Sequence, residues 1–419
     1  MRIGIIGVGT VGASVANILR DNKNVITARA GCEIIPAIGV VSNLNKKRDV
    51  EIELTDDVEK VLNDESIDVI VELMGGIEKP YEIIKKALKN GKAVVTANKA
   101  LLAYHRYELQ EIAGDTAFEY EAAVAGGIPI INALRDGLTA NHIESIRGIM
   151  NGTCNYMLTK MINEGVDYET ILKEAQELGY AEADPTFDVG GFDAAHKLLI
   201  LGSIAYGIDA KPEDILIEGI QNISHEDIDF ANEFNYSIKL LTIAKKVGKE
   251  IELRVHPSLI PTTEMISKVD GVMNGVSVVG DKVGETMYYG AGAGGDATAS
   301  AVIANIVDIA RRGKGSPMLG FEKPHGEDIR LMSKDDIKTK YYLRFRVEDK
   351  AGVLAKIATI LGERNISIEK MIQKPLNRTC SHILLSTHTS VEKDIIEALK
   401  TIEEAGVVTA KPAMIRIED

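Results

Sequence analysis

The chain has 419 residues, 45% of them hydrophobic and 26% charged, and a formal net charge of −14. That acidity, with no stripe of lysine and arginine interleaved by aromatics, argues against nucleic acid and anionic membrane surfaces as partners. The length predicts about three domains. No apolar run approaches a membrane span, and a first strand starting at Arg2 leaves no room for a signal peptide, so a cytoplasmic location is expected. Cys32, Cys154 and Cys380 are few, odd in number and without a Cys-x-x-Cys pair, which fits a reducing compartment.

From the amino end, Arg2 to Ile6 reads as a short buried strand. Gly7-Val8-Gly9-Thr10-Val11-Gly12 then turns into the helical pattern Ala13 to Leu19. The first glycine permits a tight turn, the second lets backbone approach a pyrophosphate, and the third packs helix on strand. The helix N-terminus offers its free N–H groups to the anion. Strand, glycine turn and helix together predict a dinucleotide site at Gly7, Gly9, Thr10, Val11 and Gly12. After a second apolar strand, Ile38 to Val41, the chain runs Ser42-Asn43-Leu44-Asn45-Lys46-Lys47-Arg48, with no carboxylate before Asp49. A basic cluster there suits a 2′-phosphate and favours NADP(H), with NAD(H) and a plain solvated loop as the alternatives.

Ile67 to Leu73 is a strand ending in Met74-Gly75-Gly76, Tyr81 to Lys89 a helix stopped by Asn90-Gly91, and Lys92 to Thr96 the next strand. Thr96, Asn98 and Lys99 thereby fall at a strand's carboxyl end, where ligands of such sheets sit, although a solvated loop lysine is the plainer reading of Lys99. Phe118 to Val124 gives way to the small residues Ala125-Gly126-Gly127, with accessible backbone. Glu121 ahead of exposed carbonyls could hold a hard cation, against the plainer reading of a strand-to-helix turn.

Beyond Ile130 an α+β block carries Asn151-Gly152-Thr153-Cys154-Asn155-Tyr156, whose cysteine has no nearby histidine and reads as a small buried thiol. Gly179 to Asp193 then gathers Glu182, Asp184, Asp188 and Asp193 before Lys197 and the apolar run Leu198 to Leu201. A helix starting near Gly191 would put Asp193 and Lys197, four apart, on one face. A lysine so placed suits proton transfer, unless Asp193 only complements the helix dipole while Lys197 snorkels outward. His196 reads as a passenger of that helix. Tyr289 to Asp296 is a glycine loop opening a helix from Ala297 to Arg312, with Asp296 as its N-cap, and it permits close approach of a cofactor. A polar connector follows. From Tyr342 the order βαββαβ predicts a small ferredoxin-like sandwich ending in a strand from Val407 to Ile417.

The glycine fingerprint, Thr96-Ala97-Asn98-Lys99, the Asn151 to Tyr156 segment, and Gly179 through Asp193-Ala194-Ala195-His196-Lys197 together resemble homoserine dehydrogenase over nearly the whole chain. The tail, with Asp349-Lys350-Ala351-Gly352-Val353-Leu354, resembles an ACT domain, departing from the commoner pattern by Ala351 where proline is usual. The resemblance implies three parts. These are a Rossmann-like NAD(P)-binding domain (1–130, completed by 289–318), an α+β catalytic and dimerisation domain (131–288), and, after a linker (319–339), a regulatory ACT domain (340–419).

It further implies reversible reduction of L-aspartate 4-semialdehyde to L-homoserine in threonine, methionine and isoleucine biosynthesis. Lys197 would be the acid/base and Lys99 its partner, Glu182 and Asp193 would hold the substrate, and Lys99, Gly179 and Gly294 would touch the cofactor. Sodium would sit on Glu121 with the backbone of Val124, Gly126 and Ile128. A homodimer or larger assembly, an amino-acid effector with threonine the first candidate, and an active catalytic half after truncation near Pro317 are also expected. The alternatives are another ACT-bearing NAD(P) oxidoreductase, or a non-catalytic sensor of dinucleotide and amino acid.

Overall fold

The computed structural model describes residues 1–313, 316–323 and 328–418. The chain forms two compact units, one of Met1–Gly152, Asp193–Glu213 and Val272–Ile329, the other of Thr153–Phe192, Asp214–Gly271 and Arg330–Asp419.

In the first unit, six parallel strands, β1 (Arg2–Ile6), β2 (Ile35–Val40), β3 (Glu53–Thr55), β4 (Val69–Glu72), β5 (Ala93–Thr96) and β6 (Phe118–Glu119), lie in the order β3-β2-β1-β4-β5-β6. Such a sheet is covered on both faces, which is why its inner strands are apolar runs rather than alternating ones. The strand order reverses between β1 and β4, and the crevice outside their carboxyl ends is where this architecture binds ligands. The helix Thr10–Asp21 buries Gly12, Val15, Ala16 and Leu19, and the late helix Gly295–Arg312 joins the same core through Ala299, Val302, Ile303 and Ile306. A Cβ on Gly295 would lie 2.8 Å from Ser14 Oγ and 3.1 Å from Thr10 Cγ2, so the glycine lets the two helices touch.

Two local expectations change here. The strand Gly284–Ala291 runs through Tyr289, and the helix starts at Gly295 behind an N-cap of Gly294 at φ 120. That backbone conformation favours glycine, so Asp296 lies in the first turn and is not the cap. The segment Tyr120 to Gly126, expected to be accessible, is buried: Glu121 N donates to Asn305 Oδ1 of the late helix at 2.8 Å.

The second unit is built on a long antiparallel pair, Tyr236–Val247 with Glu250–Pro261. The ferredoxin-like tail adds its strands in the order Ala413–Ile417, Lys338–Glu348, Cys380–Thr387, Ile368–Pro375. Tyr341, Leu343, Phe345 and Val347 point at period two into a core closed by the helices Val353–Gly362 and Glu392–Glu404. Its final strand is shorter than expected. Val408 makes only an isolated bridge with Val347, and the ladder resumes at Ala413, just past Pro412, which has no N–H to give it. The connector contributes Arg330–Leu331, parallel to Glu250 and Ile251. Among the described residues no helix is long and apolar enough to cross a membrane.

Candidate active site

The fingerprint turn opens on a cleft of about 320 Å³ lined by Gly7, Gly9, Ser42, Arg48, Leu73 and Met74. Each glycine has its own reason. A Cβ on Gly7 (φ 103) would lie 2.6 Å from Leu73 O, and one on Gly12 2.4 Å from Gly7 O. One on Gly9 would meet nothing within 4 Å, the open approach a pyrophosphate needs. Thr10 and Val11 begin the helix, whose first N–H groups face the turn. Of the basic cluster, Arg48 is the residue that lines the cleft. Its Nε donates to Val8 O at 2.9 Å, and its Nη1 donates to Asn43 O at 2.9 Å and Lys46 O at 2.8 Å.

At the other end of the crevice, the helix Phe192–Tyr206 carries Asp193 and Lys197 one turn apart, 4% and 9% exposed. Lys197 Nζ donates to Met150 O at 2.6 Å and to Asp193 Oδ2 at 2.8 Å, so it does not snorkel outward. Asn151 Nδ2 donates to the same Oδ2 at 2.9 Å, and Lys99 Nζ lies 3.1 Å from Oδ1. Lys99 begins the helix Lys99–Ala113 just past the carboxyl end of β5, where Asn98 Oδ1 caps the turn by accepting from Leu101 N at 3.0 Å. Burial alone would raise the Asp193 carboxyl. The two ammonium groups, with the hydrogen bonds from Lys197 and Asn151, outweigh it and hold the group well below the usual carboxylate range. His196 is buried, packs edge-on to Tyr104 at 5.6 Å and is shifted down by desolvation, which suits a neutral passenger.

The structure thus gathers Lys99, Asp193 and Lys197 at one point of the first unit. Glu121, Val124, Gly126, Ile128 and Gly294 belong to the same unit. Both Glu121 oxygens accept backbone N–H bonds, from Ile131 and Asn132 at 2.8 Å each, while burial pushes the carboxyl up to about 7 against that pull. A Cβ on Gly126 (φ 52) would lie 2.6 Å from Gly292 O, next to the Gly294 loop. Gly179 and Glu182 lie in the second unit. Gly179 (φ 76) is exposed after the helix Tyr168–Glu177, and Glu182 sits in an exposed turn whose backbone oxygen accepts from Gln176 Nε2 at 3.0 Å. Cys154 is buried outside any disulfide, and its thiol donates to Asp188 O at 3.2 Å. Among the described residues no group of three or more His, Cys, Asp or Glu side chains is arranged to hold a metal.

Sequence reasoning passed over two groups, the Met150 carbonyl and the Asn151 amide. Asn151 stood in the singled-out segment, but its partner is 42 residues away, and only the fold shows that.

A doubly wound dinucleotide sheet, with a buried carboxylate bracketed by two lysines at its carboxyl edge, defines an NAD(P)-dependent oxidoreductase. Residues 7–121 match the family described as homoserine dehydrogenase, NAD binding domain, residues 129–307 the family homoserine dehydrogenase, and residues 341–407 the ACT domain. The chain is 54% identical over 420 residues to the homoserine dehydrogenase of Helicobacter pylori, covering 100% of this chain and 99% of that one. A solved homoserine dehydrogenase from Thiobacillus denitrificans superposes with a TM-score of 0.94 at 46% identity, covering 100% and 98% of the two chains. A hyperthermophilic archaeal homoserine dehydrogenase in complex with NADPH matches at a TM-score of 0.62 and 27% identity, covering 73% and 96%. The chain belongs to the homoserine dehydrogenase family.

Proposed function

We propose that this chain reduces the aldehyde of L-aspartate 4-semialdehyde to L-homoserine, reversibly, with Lys197 as the proton donor and acceptor. The observation that carries the reading is the ammonium of Lys197, buried and aimed by two acceptors. Among the described residues, Met150 O and Asp193 Oδ2 take two of its three hydrogens, which leaves the third for a substrate oxygen. The bound nicotinamide supplies the hydride.

As the carbonyl oxygen gains charge, two lysines around one carboxylate leave a net positive site, fixed in advance, that stabilises an alkoxide until Lys197 protonates it. In the oxidative direction Lys197 receives that proton. Both Asp193 oxygens are already engaged by Lys99, Asn151 and Lys197, so its part is to hold the lysines, while the role of Glu182 in holding the substrate's ammonium rests on the family resemblance. Homoserine-dependent reduction of NADP, followed by absorbance, tests the activity. No turnover with homoserine in either cofactor would overturn it. A non-catalytic sensor would leave the buried lysine and carboxylate without a task.

For the cofactor we assign NADP(H) as preferred. Among the described residues, Nε and Nη1 of Arg48 are committed to backbone carbonyls, and the Nη2 edge remains for a 2′-phosphate. Arg48→Ala should lower kcat/KM for NADPH by roughly 10- to 100-fold relative to NADH, the worth of a charge-assisted hydrogen bond. An unchanged ratio in steady-state assays would remove Arg48 from this role. Gly179 and Gly294 are proposed to touch the cofactor, as glycines that keep side chains out of its path.

A sodium ion fits Glu121 with the carbonyls of Val124, Gly126 and Ile128, an all-oxygen set carrying a single charge. Ala125 at φ 54 and Gly126 at φ 52 curl the backbone between Val124 and Ile128, the kind of turn a chain needs to wrap a cation. Sodium chloride should then raise Tm by roughly 2–4 °C over N-methylglucamine chloride at equal ionic strength, and Glu121→Gln should abolish the difference. Equal melts in the two salts would exclude the ion.

The functional division 1–130 with 289–318, 131–288 and 340–419 follows the same reading. So do a cytoplasmic homodimer in threonine, methionine and isoleucine biosynthesis, and an effector amino acid at the ACT domain.

A further inference from the structure

The carboxyl ends of β4 and β5 are joined by a chain of side chains that the reaction above leaves without a task. Glu72, the last residue of β4, is fully buried and accepts hydrogen bonds from Thr96 Oγ1 and from Met74 N, both at 2.6 Å. Thr96 ends β5, and its hydroxyl oxygen accepts from Asn98 N at 3.0 Å. Asn98 uses its side chain in both directions. Oδ1 caps the helix that Lys99 begins, and Nδ2 donates to Gly76 O at 2.8 Å. The rest of β4, Val69 to Val71, is apolar and buried, so a carboxylate at its end goes against the local composition. Burial pushes Glu72 up to about 7 even with Thr96 and Met74 pulling it down, and a polar group kept there at such a cost calls for a return. Its partners lead two ways, to the Leu73–Gly76 turn, whose Leu73 and Met74 line the nucleotide cleft, and to the first residues of the Lys99 helix.

We propose that Glu72 is a positioning residue for the reaction: acting through Thr96 and Asn98, it fixes the start of the Lys99 helix against the cofactor-lining turn, so that Lys99 meets Asp193. This rests on the reading of Lys99 as an active-site group. Thr96→Val keeps the shape and deletes the hydroxyl. It should lower kcat roughly tenfold with KM for NADPH within about twofold, and Thr96→Ser should restore kcat. Glu72→Gln should lower kcat comparably and also raise KM for NADPH, because an amide cannot accept from both Thr96 and Met74 as the carboxylate does.

Lys99→Ala is the reference. Full activity in that variant would sink the Lys99 reading itself. Impairment of Lys99→Ala beside kcat within about twofold in both Thr96→Val and Glu72→Gln would overturn the relay alone. A loss in Thr96→Val that Thr96→Ser shares would overturn it too. Thermal melts accompany each assay, and if Thr96→Val fails to fold, Glu72→Gln decides.

Discussion

Lys197→Ala is expected to lower kcat by roughly 10²- to 10⁴-fold, the usual worth of a positioned acid/base, while NADPH affinity stays within about twofold. The nucleotide cleft draws on the fingerprint turn and Arg48, none of which touches Lys197. Asp193 would keep Lys99 and Asn151 as partners, so the fold has a compensated carboxylate to fall back on. Lys197→Arg separates charge from chemistry. It restores a cation beside Asp193, but a guanidinium does not give up its proton, so turnover should stay low. Asp193→Asn should lower both kcat and Tm, because it leaves two ammonium groups without their shared counter-ion. Glu182→Gln should act mainly on KM for the semialdehyde. Stopped-flow reduction with NADPH, alongside cofactor titration by fluorescence, measures each part. A Lys197→Ala enzyme that kept most of its kcat would falsify the assignment.

What the sequence made legible was what is local. The glycine fingerprint, the four-residue spacing of Asp193 and Lys197, and the place of Lys99 after a strand are readable because the physics acts within one turn or one loop. Met150 and Asn151 complete the site from 47 and 42 residues away, and no periodicity signals such a meeting. The backbone around Glu121 was misjudged as accessible for the same reason, since the helix that covers it supplies Asn305, 184 residues on. Asp296 looked like a cap by residue type, but Gly294 accepts a backbone angle that decides where the helix starts. The first strand of the ferredoxin-like tail was written in the alternation of Leu343, Phe345 and Val347. That this sheet continues into Glu250–Pro261 was not, because pairing partners are set by the fold.

That continuity changes what the tail is. Arg416, on the last strand, is fully buried. Its Nε donates to Glu392 Oε2 at 2.9 Å and its Nη2 to Glu392 Oε1, while Nη1 and Nη2 donate to Glu218 at 2.8 and 2.9 Å. Glu392 is buried as well and accepts Tyr341 Oη–H at 2.8 Å. Replacing a pair like this by apolar residues can be neutral, but removing one partner strands the other charge at a cost of about 3–5 kcal/mol. Arg416→Leu should therefore destabilise the second unit by about that much, and Glu392→Leu added to it should recover part of the loss.

Truncation near Pro317 is no cleaner. It removes the strands paired with Glu250–Ile251 and Ser258–Leu259, and takes Glu418 from Arg254, a guanidinium that is 1% exposed. The shortened chain should lose solubility or melt far below the full one, so loss of inhibition in it would say nothing about the ACT domain as a sensor. Denaturant melts of the full chain, Arg416→Leu and the double variant measure the tie: equal midpoints for the first two would mean that the buried arginine does not hold the tail to the rest of the second unit.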